Sequence, residues 1–173
     1  IQSTFRNSTF HIRIFAGVYD VDDVTERISI MCDKANLASE TIKNEYKNSV
    51  AYYTEHLLEK SIEERKIIAE FDRALDNNEF VMVLQPQVDE EGKPYGAEAL
   101  VRWNHPEKGM LSPGLFIDVL EKTGFIYRLD RYMWDKAARQ LSEWKHRGIE
   151  NYHISVNISA KDFYLIDVYE SFV

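Results

Sequence analysis

Apolar and polar residues alternate near the start of the chain. Phe10, Ile12, Ile14, Ala16 and Val18 occupy every second position between Thr9 and Tyr19, the period of a strand with one covered face. Asp22 and Asp23 follow, where the positive end of a helix favours carboxylates. Val24, Ile28, Met31, Cys32 and Ala35 then recur at helical spacing and predict a helix from residue 24 to about Asn44, with Cys32 in its core stripe. Val50 and Tyr52 share one side of a short strand over 49–54. Strand, helix and strand of this size cover too little of a sheet, so partner strands are expected from further upstream.

Residues 55–78 change character. The segment is highly charged, has no Gly or Pro, and carries a narrow apolar stripe of Leu58, Ile62, Ile68, Phe71 and Leu75. It reads as a connecting helix ended by Asn77-Asn78. A second block follows. Val81–Val88 predicts a strand, Glu90–Pro94 a turn, and Tyr95–Trp103 a second strand. Ser112 is placed to cap a helix with Pro113 at its first position and Gly124 as its stop. Leu129, Met133, Ala137, Leu141 and Trp144 define the next helix, closed by Gly148. Tyr152, Ile154, Val156 and Ile158 alternate again and predict a third strand. This order is the opening of an α/β domain.

Composition narrows the classes. The chain has 173 residues, of which 45% are apolar and 29% charged, as in globular proteins. Its formal net charge of −8 disfavours nucleic-acid polymers as partners. An anionic ligand would need local Arg and bound cations to overcome that field. The longest clean apolar run, Phe80 to Leu84, falls far short of the ~18 residues of a membrane span. One cysteine excludes an internal disulfide framework and a Cys-rich zinc site. The chain begins at Ile1 and stops at Val173, and is expected to be a piece of a longer cytoplasmic or cytoplasm-facing protein.

Strand periodicity places Glu98, Leu100 and Arg102 on one face. A carboxylate offers hard oxygen to Mg²⁺ or Mn²⁺, and a guanidinium forks onto phosphate. The same spacing also suits an ordinary surface ion pair. On the third strand His153, Ser155 and Asn157 share the polar face, where an amide oxygen could coordinate a hard cation or simply meet water. Gln85, on the face of Val81 and Val83, could hydrogen-bond a base or cap the strand end. The five histidines lack paired metal spacing, and neither a Gly-rich phosphate loop nor a GxSxG elbow is present.

Longer motifs add to this. The segment AEALVRWNHPEKGMLSP, Ala97 to Pro113, closely resembles the signature of EAL-type cyclic di-GMP phosphodiesterases. VLQPQVD before it, then FIDVLEKTGFIYRLDRYM and ISVNIS after it, follow in that family's order, so the likeness runs from about Phe80 to Phe163. More loosely, IRIFAGVYD and CDKANLASETIKNEYKNSVAYY resemble the C-terminal end of a GGDEF domain, with Phe15-Ala16-Gly17 where that family usually has Ser-Ile-Gly.

These resemblances imply an organisation. Residues 1–54 would be the last strands and helix of an α+β GGDEF domain, 55–78 a linker helix, and 79–173 the N-terminal part of a TIM-like (β/α)8 barrel. They imply hydrolysis of cyclic di-GMP to linear pGpG with Mg²⁺ or Mn²⁺. Glu98 and Asn157 would be metal ligands in the catalytic centre. Arg102 would hold phosphate, Gln85 would contact the dinucleotide, and Leu100 would pack beside guanine. The helix is placed to relay signals or to join two copies as a homodimer. Two metal ligands are too few for a two-metal site, and the block from Glu79 is far shorter than the ~200 residues a TIM-type barrel needs. The chain alone is therefore expected to be inactive. The alternative for the whole protein is a receptor that binds cyclic di-GMP without cleaving it.

Overall fold

A helix lies directly on a two-stranded sheet in the first part of the molecule, and a glycine allows the contact. The computed structural model describes residues 2–5, 8–11, 13–43 and 49–172. They form two units, Ile1–Glu63 and Glu64–Val173. In the first, β1 (Gln2–Phe5) pairs antiparallel with β2 (Ser8–His11), and β3 (Ala16–Val18) pairs parallel with β4 (Val50–Tyr52). Helix α1 (Ile28–Ile42) makes the crossover between β3 and β4. A Cβ on Gly17 would lie 1.7 Å from the Ala35 carbonyl oxygen, so only glycine lets strand and helix approach this closely.

Three expectations change here. The alternation over Thr9–Tyr19 does not form one strand; it divides between β2 and β3, in different sheets. Alternation reports a covered face but not which strand covers it. Ile12, and Asn44 at the expected helix end, lie outside the described residues. Helix α1 starts at Ile28 rather than near Val24, because the Asp23 carboxylate accepts from the Thr25 N–H (2.8 Å) and hydroxyl (2.6 Å) and closes a turn instead. Cys32 is exposed, not core, and Val24 is 86% exposed. Within α1 only Ala38 and Ile42 are buried among the described residues.

Helix α2 (Glu55–Asp76) crosses the division between the units. Its second half belongs to the core of the second unit, where Phe71 and Ala74 are fully buried with Phe80, Trp103, Phe116 and Leu120. The sheet of this unit is built on β6 (Pro94–His105). Strand β5 (Phe80–Val88) runs antiparallel along one side of it. On the other side β7 (Gly109–Leu111) pairs antiparallel with its end, and β8 (His153–Ser155) pairs parallel with its start. Helices α3 (Ile117–Thr123), α4 (Ile126–His146) and α5 (Asp162–Leu165) complete an α/β unit.

The strands and helices beyond residue 79 follow the sequence reading closely, with three differences. Strand β7 is too short for its alternation to register. Ser112 is not a side-chain cap: Leu115 and Phe116 donate backbone N–H groups to Ser112 and Pro113 carbonyls, forming a 3-10 turn before α3 begins. The third strand is His153–Ser155, shorter than Tyr152–Ile158, because its pairing with β6 ends at Glu98↔Ser155.

Buried polar bonds fix the end of β6 against α2. His105, 3% exposed, accepts the Glu107 and Lys108 N–H groups on Nδ1 (both 3.1 Å). Its Nε2 therefore carries the proton and donates to Glu70 Oε2 at 2.7 Å. Trp103 Nε1 donates to Glu79 at 2.9 Å. Among the described residues no helix is long and apolar enough to cross a membrane.

Candidate functional site

Register decides which side chains meet. Gln85 lies opposite Glu98, Val83 opposite Leu100, and Val81 opposite Arg102. Residues directly across a ladder share a face, so Gln85, Glu98, Leu100 and Arg102 line one side of the β5–β6 sheet. The other side carries Ala97, Ala99 and Trp103, all buried. Ser155 is in register with Glu98 on β8, and Asn157 lies two residues beyond on the same face. The Asn157 side-chain amide approaches Glu98 Oε1 at 3.3 Å. The structure thus brings all five candidate residues to one face.

Their surroundings differ. Gln85 and Asn157 are exposed, whereas Glu98, Leu100 and Arg102 are half-buried. One guanidinium N–H of Arg102 donates to the Val101 carbonyl at 2.8 Å, which steadies the group without using its remaining donors. Nearer the start of β6, His153 Nε2 meets Gln87 Oε1 at 3.1 Å, and Gln87 Nε2 donates to Ser155 at 3.5 Å. The ring lies over Gly96, where a Cβ would come within 2.6 Å of Nε2.

Glu98 and Asn157 fit one edge of a hard cation's shell. Amide nitrogen and oxygen exchange by a side-chain flip. In the structure the amide nitrogen donates to the carboxylate, and after that flip the amide oxygen would stand beside Glu98 as a second hard donor. Among the described residues no group of three or more His, Cys, Asp or Glu could hold a metal, so the pair offers two donors and not a complete shell.

Sequence reasoning missed a second layer behind Asn157. Trp134, 5% exposed, donates its indole N–H to the Asn157 carbonyl at 3.0 Å. The Ser159 N–H is shared between Asp162 Oδ2 (2.9 Å) and Asp130 Oδ2 (3.3 Å). Ser159 Oγ donates to Glu121 at 3.0 Å, and Lys161 reaches the Glu121 carbonyl. Burial, then the adjoining Asp162 carboxyl, pushes Asp130 up to about 8. Asp162 is fully buried, and its Oδ1 lacks a donor among the described residues. A cavity of about 260 Å³ opens beside this layer, with Ala99, Leu100, Met133 and Asp130 in its wall. The helical spacing of Asp130 and Trp134 is visible in the sequence, but their contacts with 157–159 are not.

The EAL domain family model matches residues 68–171. The bifunctional diguanylate cyclase/cyclic di-GMP phosphodiesterase MucR of Pseudomonas aeruginosa is 30% identical over 168 residues, covering 94% of this chain and 24% of that protein. The cyclic di-GMP phosphodiesterase PdeR of Escherichia coli is 32% identical over 127 residues, covering 73% of this chain and 19% of PdeR. The chain therefore spans about a quarter or less of the length of these relatives. Among solved structures, a PaMucR phosphodiesterase complex with cyclic di-GMP superposes with a TM-score of 0.58 at 34% identity, covering 61% of this chain and 43% of that one. The EAL enzyme Bd1971, bound to cAMP and cyclic di-GMP, gives 0.56 at 28% identity, covering 64% and 32%. The family signature covers more than half of the chain, in the unit that carries the β5–β6 face, and the chain belongs to the EAL domain family.

Proposed function

We propose that the protein containing this chain is a cyclic di-GMP phosphodiesterase that opens the cyclic dinucleotide to linear pGpG with Mg²⁺ or Mn²⁺. One observation carries this reading: Gln85, Glu98, Leu100 and Arg102 share a sheet face on which Asn157 lies 3.3 Å from Glu98. Glu98 and Asn157 would hold the cation, each through a side-chain oxygen. A bound divalent ion supplies Lewis-acid charge and lowers the pKa of a water. Arg102 would orient a phosphate with its free guanidinium donors. Leu100 would pack beside a guanine, and Gln85 would hydrogen-bond the dinucleotide.

The same reading extends to the organisation. Residues 1–54 are the end of a GGDEF domain, 55–78 a linker helix, and 79–173 the opening of an EAL barrel. The alignment with a bifunctional relative over 94% of the chain supports this order. The linker helix relays signals or pairs two copies, and the site faces the cytoplasm. This chain alone, with two oxygen donors at its cation edge, does not turn over the substrate.

The test is turnover of cyclic di-GMP by the full-length protein, with Mg²⁺ and Mn²⁺ supplied separately. Linear pGpG supports the hydrolase. Intact substrate despite measurable binding replaces it with a receptor, in which Glu98 and Arg102 hold ligand rather than act in catalysis.

A further inference from the structure

We infer that Trp134 and Asp130 are positioning residues that set Asn157 against Glu98. The inference rests on the cation-holding reading of that pair. Strand β8 ends at Ser155, so the backbone of 157–159 is not taken up by the β6 ladder. Polar backbone groups near a core need other partners, and α4 supplies them. Trp134 donates to the Asn157 carbonyl at 3.0 Å, and Asp130 accepts the Ser159 N–H at 3.3 Å.

The two side chains are one helical turn apart, which puts them on one face of α4 with a rise of about 6 Å between them. One face of α4 therefore holds the segment 157–159 through two side chains. Trp134 is 5% exposed, and its ring stacks on Phe172 with centroids 4.7 Å apart. The donor is thus held in place by packing. Asp162 takes the other share of the Ser159 N–H at 2.9 Å. With its backbone held at both positions, the Asn157 side chain is aimed at Glu98 by the main chain.

The charged groups facing this grip are Glu121 from α3, Asp162 from α5, and Lys161 from the turn before it. Asp130 has its carboxyl raised by burial and by Asp162, and so can present a neutral acid to its neighbours.

The test is Mn²⁺ binding to the full-length protein, read by the electron paramagnetic resonance of free Mn²⁺, without any turnover assay. Glu98→Gln should abolish the site. Trp134→Phe, which keeps the ring and removes the donor, should weaken Mn²⁺ about ten-fold, the usual loss when a group behind a ligand is removed. Trp144→Phe, the same change elsewhere on α4, should leave the affinity unaltered. If Trp134→Phe does not fold, Asp130 decides the matter. Asp130→Leu should weaken binding about ten-fold, while Asp130→Asn, which still accepts the Ser159 N–H, should restore it. Wild-type affinity in both Trp134→Phe and Asp130→Leu overturns the inference while leaving the Glu98 site intact. Mn²⁺ binding that is unchanged in Glu98→Gln removes the underlying reading, and this inference with it.

Discussion

Asp130 binds a proton in the folded chain that it would release on unfolding. Burial, then the adjoining Asp162 carboxyl, pushes its carboxyl up to about 8, against 3.8 as its ordinary value. Between those values the folded state holds the extra proton, so stability falls as pH rises from about 4 to about 8 and is flat beyond. Asp130→Asn keeps an acceptor for Ser159, offers Asp162 a donor, and removes the titration. Its melting temperature should exceed wild type by several degrees at pH 8, and the gain should vanish near pH 4. Thermal melts across that range measure it, and a difference independent of pH would contradict the raised Asp130 carboxyl. Gly96 is a milder case. Gly96→Ala places its Cβ 2.6 Å from the His153 ring, which is exposed and can swing away. The change should break the Gln87–His153 bond at a cost of about 1 kcal/mol. The His153 ring signals and a urea titration report the two effects.

Elements differ in how tightly they are fixed. Helix α1 is fixed to β3 through backbone: a Cβ at Gly17 would meet the Ala35 oxygen at 1.7 Å and the Ser39 nitrogen at 2.8 Å. Neither atom can turn aside, so Gly17→Ala should cost about 3 kcal/mol and part α1 from the sheet, seen as lost amide protection in α1. The end of β6 is fixed to α2 by side chains. His105→Leu would strand the Glu107 and Lys108 N–H groups and the Glu70 carboxylate, for a loss of about 1–3 kcal/mol in urea unfolding.

What the sequence made legible follows the same division. The shared face of β5 and β6 could be read because each strand has one covered side, which writes a period of two into the residues. The end of α3 could be read because Gly124 adopts φ 78°, a backbone state that glycine favours. Strand β7 could not, having three residues. The division of Thr9–Tyr19 between β2 and β3 could not, since alternation is the same whichever strand pairs with it. The grip of Trp134 and Asp130 on 157–159 joins residues more than twenty positions apart, and no local pattern carries such a contact.

At the scale of the whole molecule, one sheet separates two kinds of chemistry. Its apolar side packs a core of Phe71, Phe80, Trp103 and Phe116 against the helices. Its other side gathers a carboxylate, an amide, a guanidinium and a glutamine within an acidic chain of net charge −8. On the proposed function, an anionic dinucleotide would approach such a chain where cations and Arg102 reverse the local field. Anomalous scattering from Mn²⁺ in crystals of the full-length protein grown with cyclic di-GMP measures that dependence. A peak is expected within coordination reach of Glu98 and the Asn157 side-chain oxygen, with the dinucleotide phosphate beside Arg102. A dinucleotide bound elsewhere, or Mn²⁺ sites that leave Glu98 and Asn157 untouched, would contradict it.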